Sequence, residues 1–281
     1  MNTYRLKIRF FNGLKYLIGL AIIIIIIGPL MVVLFTSVKT KGHMATVSPL
    51  TLPPLLEITW DNFKEVFSSK YLVTAFKNTF IIVVISLFFN IIFGSVTAYC
   101  LERFHFRFKR LIFSLFFLGM MVPTFVMEIS RFKIIQSMGL YNSLGAPIII
   151  YVASDLMQLY IYKQFISQIP VELDECALMD GCSYFGIFTR IIFPLLAPAT
   201  ATLIIIKAVN IINDMYIPYL YMPKSGLKTL TTFLMSYAGA QQGSWQTLSA
   251  AIVVVLVPTL LIYIFFQKYI FDGISAGAVK T

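Results

Sequence analysis

The chain has 281 residues, 59% of them hydrophobic and 12% charged, and it carries a net charge of +10. A soluble domain is typically about 45–50% apolar and about 25% charged. This composition, with a mean hydropathy of +0.86, therefore excludes an ordinary soluble enzyme and indicates one polytopic membrane unit.

Apolar segments long enough to cross a hydrocarbon core, which takes about 20 residues, fall at 16–38, 78–101, 110–128, 146–166, 196–218 and 248–267. The first follows a basic start with Arg5, Lys7, Arg9 and Lys15. It is too long for a secretory signal and lacks a small-residue cleavage pattern, so it reads as a retained span. This divides the chain into a start at 1–15, a first span with its outer segment at 16–77, a five-helix core at 78–267 and a tail at 268–281. The outer segment contains TLPPLLEITWDNFKEVFSS. Its prolines stop regular structure, and Ile58, Phe63, Val66 and Phe67 then form the apolar side of a short helix anchored by Trp60.

Lys and Arg near the membrane set orientation. With the N-terminus in the cytoplasm, the inner segments hold twelve basic residues and the outer ones nine. The second loop decides the direction, because ERFHFRFKR (102–110) carries four basic residues in nine. Both termini are then cytoplasmic. The basic excess does not indicate nucleic-acid binding, since it lies in short clusters between apolar runs. Cys100, Cys176 and Cys182 fall at or beyond the inner face, where free thiols are expected. No metal-ligand cluster and no GxxxxGK[ST] phosphate loop is present, so any ATP is hydrolysed by another chain.

The largest inner loop spans 167–195 and holds four of the twelve acidic residues within ELDECALMDG (172–181). Pro170 can open a helix, and Glu172, Asp174 and Glu175 then lie at the positive end of its dipole. Leu173, Cys176 and Ala177 share one face. Asp180-Gly181 supplies a turn with positive φ at glycine. A second amphipathic helix follows, with Tyr184, Phe185, Phe188 and Ile192 on one side, and Pro194 ends it. The product is a cytoplasmic helix–turn–helix.

This stretch resembles the EAA loop of ABC-importer permeases, in which EAA is followed three residues later by Gly and then by an Ile-x-x-x-Pro ending. Here Glu175-Cys176-Ala177, Gly181, Ile191 and Pro194-Leu195 stand in those places, with Cys176 for the first alanine and the proline one residue early. AYCLERFHFRFKR (98–110), MVPTF (121–125) and GLYNS (139–143) are similar to further parts of the family. FFQKYIFDGISAGAVKT (265–281) is similar to the tail of its carbohydrate branch, the MalG-like subunits. Two stretches depart from the branch: Ile212-Asn213 replaces the usual Trp-Asn, and MEISRFKII replaces an apolar-proline run after the third span.

The resemblance implies an all-α integral membrane protein with the six-transmembrane-helix type I ABC importer permease fold and a cytoplasmic coupling helix–turn–helix. It implies a sugar importer, with oligosaccharide as the substrate class, in a prokaryotic cell membrane. Glu172, Glu175, Cys176, Ala177, Asp180 and Gly181 would couple to the ATPase. The implied partners are a homologous MalF-like permease, two cytoplasmic ABC ATPases, an extracytoplasmic sugar-binding protein and membrane lipid. ATP and Mg2+ would be bound by the ATPases and no cofactor by this chain.

Polar groups inside the spans mark functional candidates, because they are costly in lipid. Lys207, Asn210 and Asp214 share one face of the fifth span, flanked by Asn213. Tyr151, Asp155, Gln158 and Tyr162 form a second stripe in the fourth. These side chains suit a hydroxyl-rich solute; the plain alternative is that they hydrogen-bond neighbouring spans. Lys207 is expected to pair with Asp155 near mid-depth, with Asp214 as the competing partner. An ion-coupled secondary transporter, using Asp155 and Asp214, is the rival reading, but it leaves the coupling-loop pattern unexplained and the chain shows no inverted repeat.

Overall fold

The computed structural model describes residues 2–40, 48, 50–238, 244–257, 259, 260 and 264, with side chains except at 2–11 and 56. Among them, regular structure is entirely helical. In chain order the helices are α1 (Asn2–Ser37), α2 (Asp61–Phe67), α3 (Leu72–Arg103), α4 (Lys109–Met121), α5 (Thr124–Ser137), α6 (Gly145–Val152) and α7 (Leu156–Ile166). Then follow α8 (Glu172–Met179), α9 (Tyr184–Leu195), α10 (Ala197–Asn213), α11 (Tyr216–Tyr221), α12 (Leu230–Ala238) and α13 (Trp245–Val257).

Only α1 and α3 are single helices long and apolar enough to span, and three bent pairs raise the total to five among the described residues. The sixth expected span, 248–267, lies partly outside the described residues, and the tail, 268–281, lies wholly outside them. The third expected span breaks at Val122-Pro123, where α4 and α5 meet at 107°. Proline drives its predecessor out of the helical region, and Val122 has φ −82° and ψ 121°. The fourth breaks at 153–155, with a 45° bend between α6 and α7. The fifth stops at Asn213, because Asp214 is extended and caps the next helix.

The contacts divide the chain into two units, residues 1–70 with 234–260, and residues 71–233 with 261–281. In the first, Asn62 on α2 donates to the carbonyls of Ser37 and Lys39, both at 2.9 Å, capping the end of α1. The buried face of α2 is Asn62 and Val66; the expected apolar side is therefore incomplete, since Phe67 is exposed and Trp60 stacks on Phe63.

In the second unit α3 is the central post, packed against α6, α7 and α10. Buried side chains recur on it every four residues: Asn78, Ile82, Ser86, Asn90 and Ala98, with Gly94 filling the remaining place. This is one helical ridge, and its small and polar members permit the close approach that membrane helices use. A Cβ at Gly94 would lie 2.2 Å from the amide nitrogen of Gln158 on α7. The outward surface is oily, with Phe80 and Phe88 on α3 exposed, as expected where the surrounding solvent is lipid.

Candidate functional site

Two regions of the second unit hold the expected site residues. The first is the hairpin α8–α9. The end of α8 is a Schellman turn: Cys182 N–H donates to Ala177 O at 2.9 Å and Gly181 N–H to Leu178 O at 3.0 Å. Gly181 sits at φ +80°, a conformation that strains any β-carbon. Ser183 then caps α9 by accepting from Gly186 N–H at 3.2 Å.

The hairpin's faces differ from the sequence expectation. On α8 the buried residues are Asp174 and Ala177, while Leu173 and Cys176 are exposed. Asp174 turns inward because Arg103 meets it: Arg103 Nε lies 2.9 Å from Asp174 Oδ2. Desolvation pushes the Asp174 carboxyl up, and Arg103 offsets part of that shift. On α9, Ile187, Phe188 and Ile192 face inward, whereas Tyr184 and Phe185 are exposed. The helix ends at Leu195, one residue past Pro194, and α10 departs from it at 74°. A π-turn at Phe188–Ile192 widens the backbone ahead of the proline, removing the demand for its missing N–H. The outer face thus presents Glu172, Leu173, Glu175, Cys176 and Asp180, together with Met179 (89% exposed) and Phe185 (75% exposed). Acidic and apolar side chains are thus exposed together on this hairpin.

The second region is a polar layer across α3, α6, α7 and α10. Lys207 on α10 forms an ion pair with Asp155, so the expected pairing is present. Asp155 does not sit inside a span helix, however; it is the N-cap of α7 and accepts from Gln158 N–H at 2.8 Å. The expected stripe from Tyr151 to Tyr162 is therefore divided between two helices. Gln158 and Tyr162 are fully buried. The Tyr151 hydroxyl donates to Asp214 Oδ2 at 2.8 Å, while Asp214 Oδ1 accepts from the N–H groups of Tyr216 and Ile217 at 2.8 and 3.2 Å. Asn210 and Asn213 are exposed.

Two groups that neither hydropathy nor the polar stripes single out act here, Asn90 within the layer and Glu128 on α5. Asn90 Nδ2 donates to the carbonyls of Tyr151, Val152 and Ala153 at 3.1, 3.4 and 2.9 Å, satisfying the acceptors freed where α6 ends. Gln158 Nε2 returns a bond to Asn90 O at 3.0 Å. Glu128, in the stretch that departs from the carbohydrate branch, is buried and accepts from Tyr221 Oη at 2.5 Å and Arg131 Nη1 at 3.1 Å. Beside the break lies a cavity of about 700 Å³ lined by Met120, Met127, Arg131, Ser154, Asp155 and Met157 among others. Among the described residues no group of His, Cys, Asp or Glu could hold a metal ion.

Residues 90–275 match the family described as binding-protein-dependent transport system inner membrane component. Similar proteins include the probable starch degradation products transport system permease protein AmyC of Thermoanaerobacterium thermosulfurigenes, 32% identical over 95% of this chain and 97% of its own. The melibiose/raffinose/stachyose import permease protein MelC of Bacillus subtilis is 33% identical over 90% and 91%. A crystal structure of a bacterial ABC transporter involved in the import of the acidic polysaccharide alginate superposes with a TM-score of 0.83 at 19% identity, covering 93% of this chain and 96% of its own. The fold is thus that of an ABC importer permease. The chain belongs to the binding-protein-dependent transport family, as a membrane-embedded, non-catalytic permease subunit of an ABC importer.

Proposed function

We propose that the chain forms one half of an oligosaccharide pathway, with a homologous MalF-like permease as the other half. Two cytoplasmic ATPases bind ATP and Mg2+, and an extracytoplasmic binding protein delivers the sugar. Relatives named for starch degradation products, for melibiose, raffinose and stachyose, and for diacetylchitobiose support the substrate class. A related complex carries an alginate pentasaccharide-bound periplasmic protein, which supports the delivery step. Both termini lie in the cytoplasm, with 16–77 crossing to an outer segment, 78–267 as the core and 268–281 as an inner tail.

The observation that carries the coupling reading is the outer face of α8–α9, with Met179 and Phe185 among the acids Glu172, Glu175 and Asp180. It fits a cleft on the ATPase, while Ala177 and Gly181 fix the hairpin's shape from within. Closure of the ATPase dimer shifts the hairpin, and packed helices answer by moving between discrete arrangements. Tyr151, Asp155, Gln158, Lys207, Asn210, Asn213 and Asp214 belong to the pathway layer. Their roles divide: Gln158 and Tyr151 brace the break, while Asn210 and Asn213 carry exposed amides able to exchange hydrogen bonds with sugar hydroxyls. Affinity purification of the tagged chain from its own cell tests the assembly. Recovery of two ATPase subunits and a second permease is expected; recovery of the chain alone, with ATP-independent uptake intact, would defeat the reading.

A further inference from the structure

We propose that the Arg103–Asp174 pair is the joint through which the hairpin drives α3, an inference that rests on reading α8–α9 as the ATPase-docking element. The two side chains are 9% and 10% exposed and meet at 2.9 Å. Arg103 also donates from Nη2 to Ile169 O at 2.8 Å, holding the chain just ahead of α8. Each charge sits at the helix end that favours it, arginine in the last turn of α3 and aspartate in the first turn of α8. Asp174 Oδ1 and Arg103 Nε are both buried without a hydrogen-bond partner among the described residues, so their contact is an ion pair and compensation of the aspartate's charge falls on Arg103.

The surroundings make this contact a lever. Around the same turn of α3, Tyr99 meets Phe188 at 5.4 Å and Phe104 meets Tyr184 at 5.0 Å. One end of α3 therefore grips both arms of the hairpin, α8 by charge and α9 by rings. A neighbouring pair, Glu102–Lys163, reaches α7 at 3.5 Å with more exposed side chains and is the weaker tie. The opposite face of the hairpin remains free to be pulled. Thirteen residues up the same helix, about 20 Å at 1.5 Å per residue, Asn90 holds the break between α6 and α7. A displacement at Met179 thus has a continuous path of packed and charged contacts to the polar layer. Arg103 is a positioning residue here and touches no solute.

Hydrogen–deuterium exchange on the permease–ATPase complex in nanodiscs, with and without MgATP and vanadate, tests the joint without a known sugar. In the wild type, nucleotide should change exchange in both α8–α9 and α3. In Arg103→Ala the hairpin should still respond, while the response of α3 falls at least fivefold. A purely structural role would raise exchange before nucleotide is added and leave the nucleotide-dependent difference in place. The exchanged pair Arg103→Asp with Asp174→Arg should respond in α3 more than either single change. If Arg103→Ala fails to assemble, Arg103→Lys makes the same comparison, with an intermediate response expected. A full α3 response in Arg103→Ala or Arg103→Lys, or an exchanged pair no better than the singles, overturns the joint. Met179→Asp separates the two readings: retained ATPase binding there sinks the docking assignment itself, whereas release of the ATPase beside normal α3 responses in the Arg103 variants sinks the joint alone.

Discussion

Replacing Asn90 by leucine removes the donor that closes the broken fourth span while nearly preserving volume. Asn90 is 1% exposed, and its amide reaches two carbonyls at 2.9 and 3.1 Å and a third at 3.4 Å. A buried polar group stripped of its partner costs about 1–3 kcal/mol, so the two well-made bonds set a gross loss of roughly 2–6 kcal/mol. Asn90 Oδ1 is itself buried without a partner, and removing it returns about 1 kcal/mol or more. The net expectation is about 1–5 kcal/mol of destabilisation. Thermal unfolding of the purified subunit complex in nanodiscs measures it, with Phe88→Leu on the exposed face as a control. At about 2–4 °C per kcal/mol for a protein of this size class, Asn90→Leu should unfold roughly 2–20 °C lower and the control should not move. An Asn90→Leu complex melting within about 1 °C of wild type would refute the capping argument.

Gly94→Ala should destabilise by about 1–3 kcal/mol, because the new methyl would displace a fully buried Gln158 amide that is bonded to Asn90; an unchanged unfolding temperature would contradict the close approach. Asp155→Asn leaves Lys207, whose side chain is 15% exposed, without its carboxylate, and should impair assembly or transport. Exchanging the two residues should restore part of the loss, and a swap no better than either single change would count against the pair. Gly181→Val places a β-branched residue at φ +80°, costing about 1–2 kcal/mol, and with Glu175→Lys should release or uncouple the ATPase; wild-type ATPase binding and stimulation in both variants would remove the coupling assignment. The Asp174 carboxyl is shifted up, chiefly by desolvation, so the folded state holds its proton more tightly than the unfolded one. Its contribution should therefore be largest at acid pH and be lost as pH rises from about 4 through the raised folded value. Asp174→Asn should flatten that part of a stability–pH curve, and an unaltered curve would show that another group titrates there.

The hairpin was legible in the sequence because its turn needs a particular residue: Asp180-Gly181 between two amphipathic stretches requires φ above zero. The ion pair was legible because charges in apolar runs must find partners, and helical offset favoured Asp155 over Asp214 for Lys207. The breaks were not legible from hydropathy, since Val122, Ala153 and Ser154 interrupt nothing in an apolar average. The break in the fourth span is set by one local group and one distant one, Asp155 capping α7 and Asn90 capping α6 from 61–63 residues away in sequence. The four-residue ridge on α3 was present in the sequence as Asn78, Ser86, Asn90 and Gly94, yet a span search counts such residues only as less apolar. The inward turn of Asp174 was hidden for a similar reason. An acid in a first turn is satisfied by the dipole alone, and only the position of Arg103 shows which way it points.

ATP-driven uptake in proteoliposomes tests the central claim most directly. The chain is reconstituted with its co-purified permease and ATPase subunits and its binding protein, and the uptake of labelled maltotriose and raffinose is followed. Accumulation of at least one of them is expected with internal MgATP, insensitive to ionophores and abolished when the ATPase subunits are catalytically dead. Accumulation by this chain alone, or uptake that survives the dead ATPase but collapses with the ion gradient, would contradict the account.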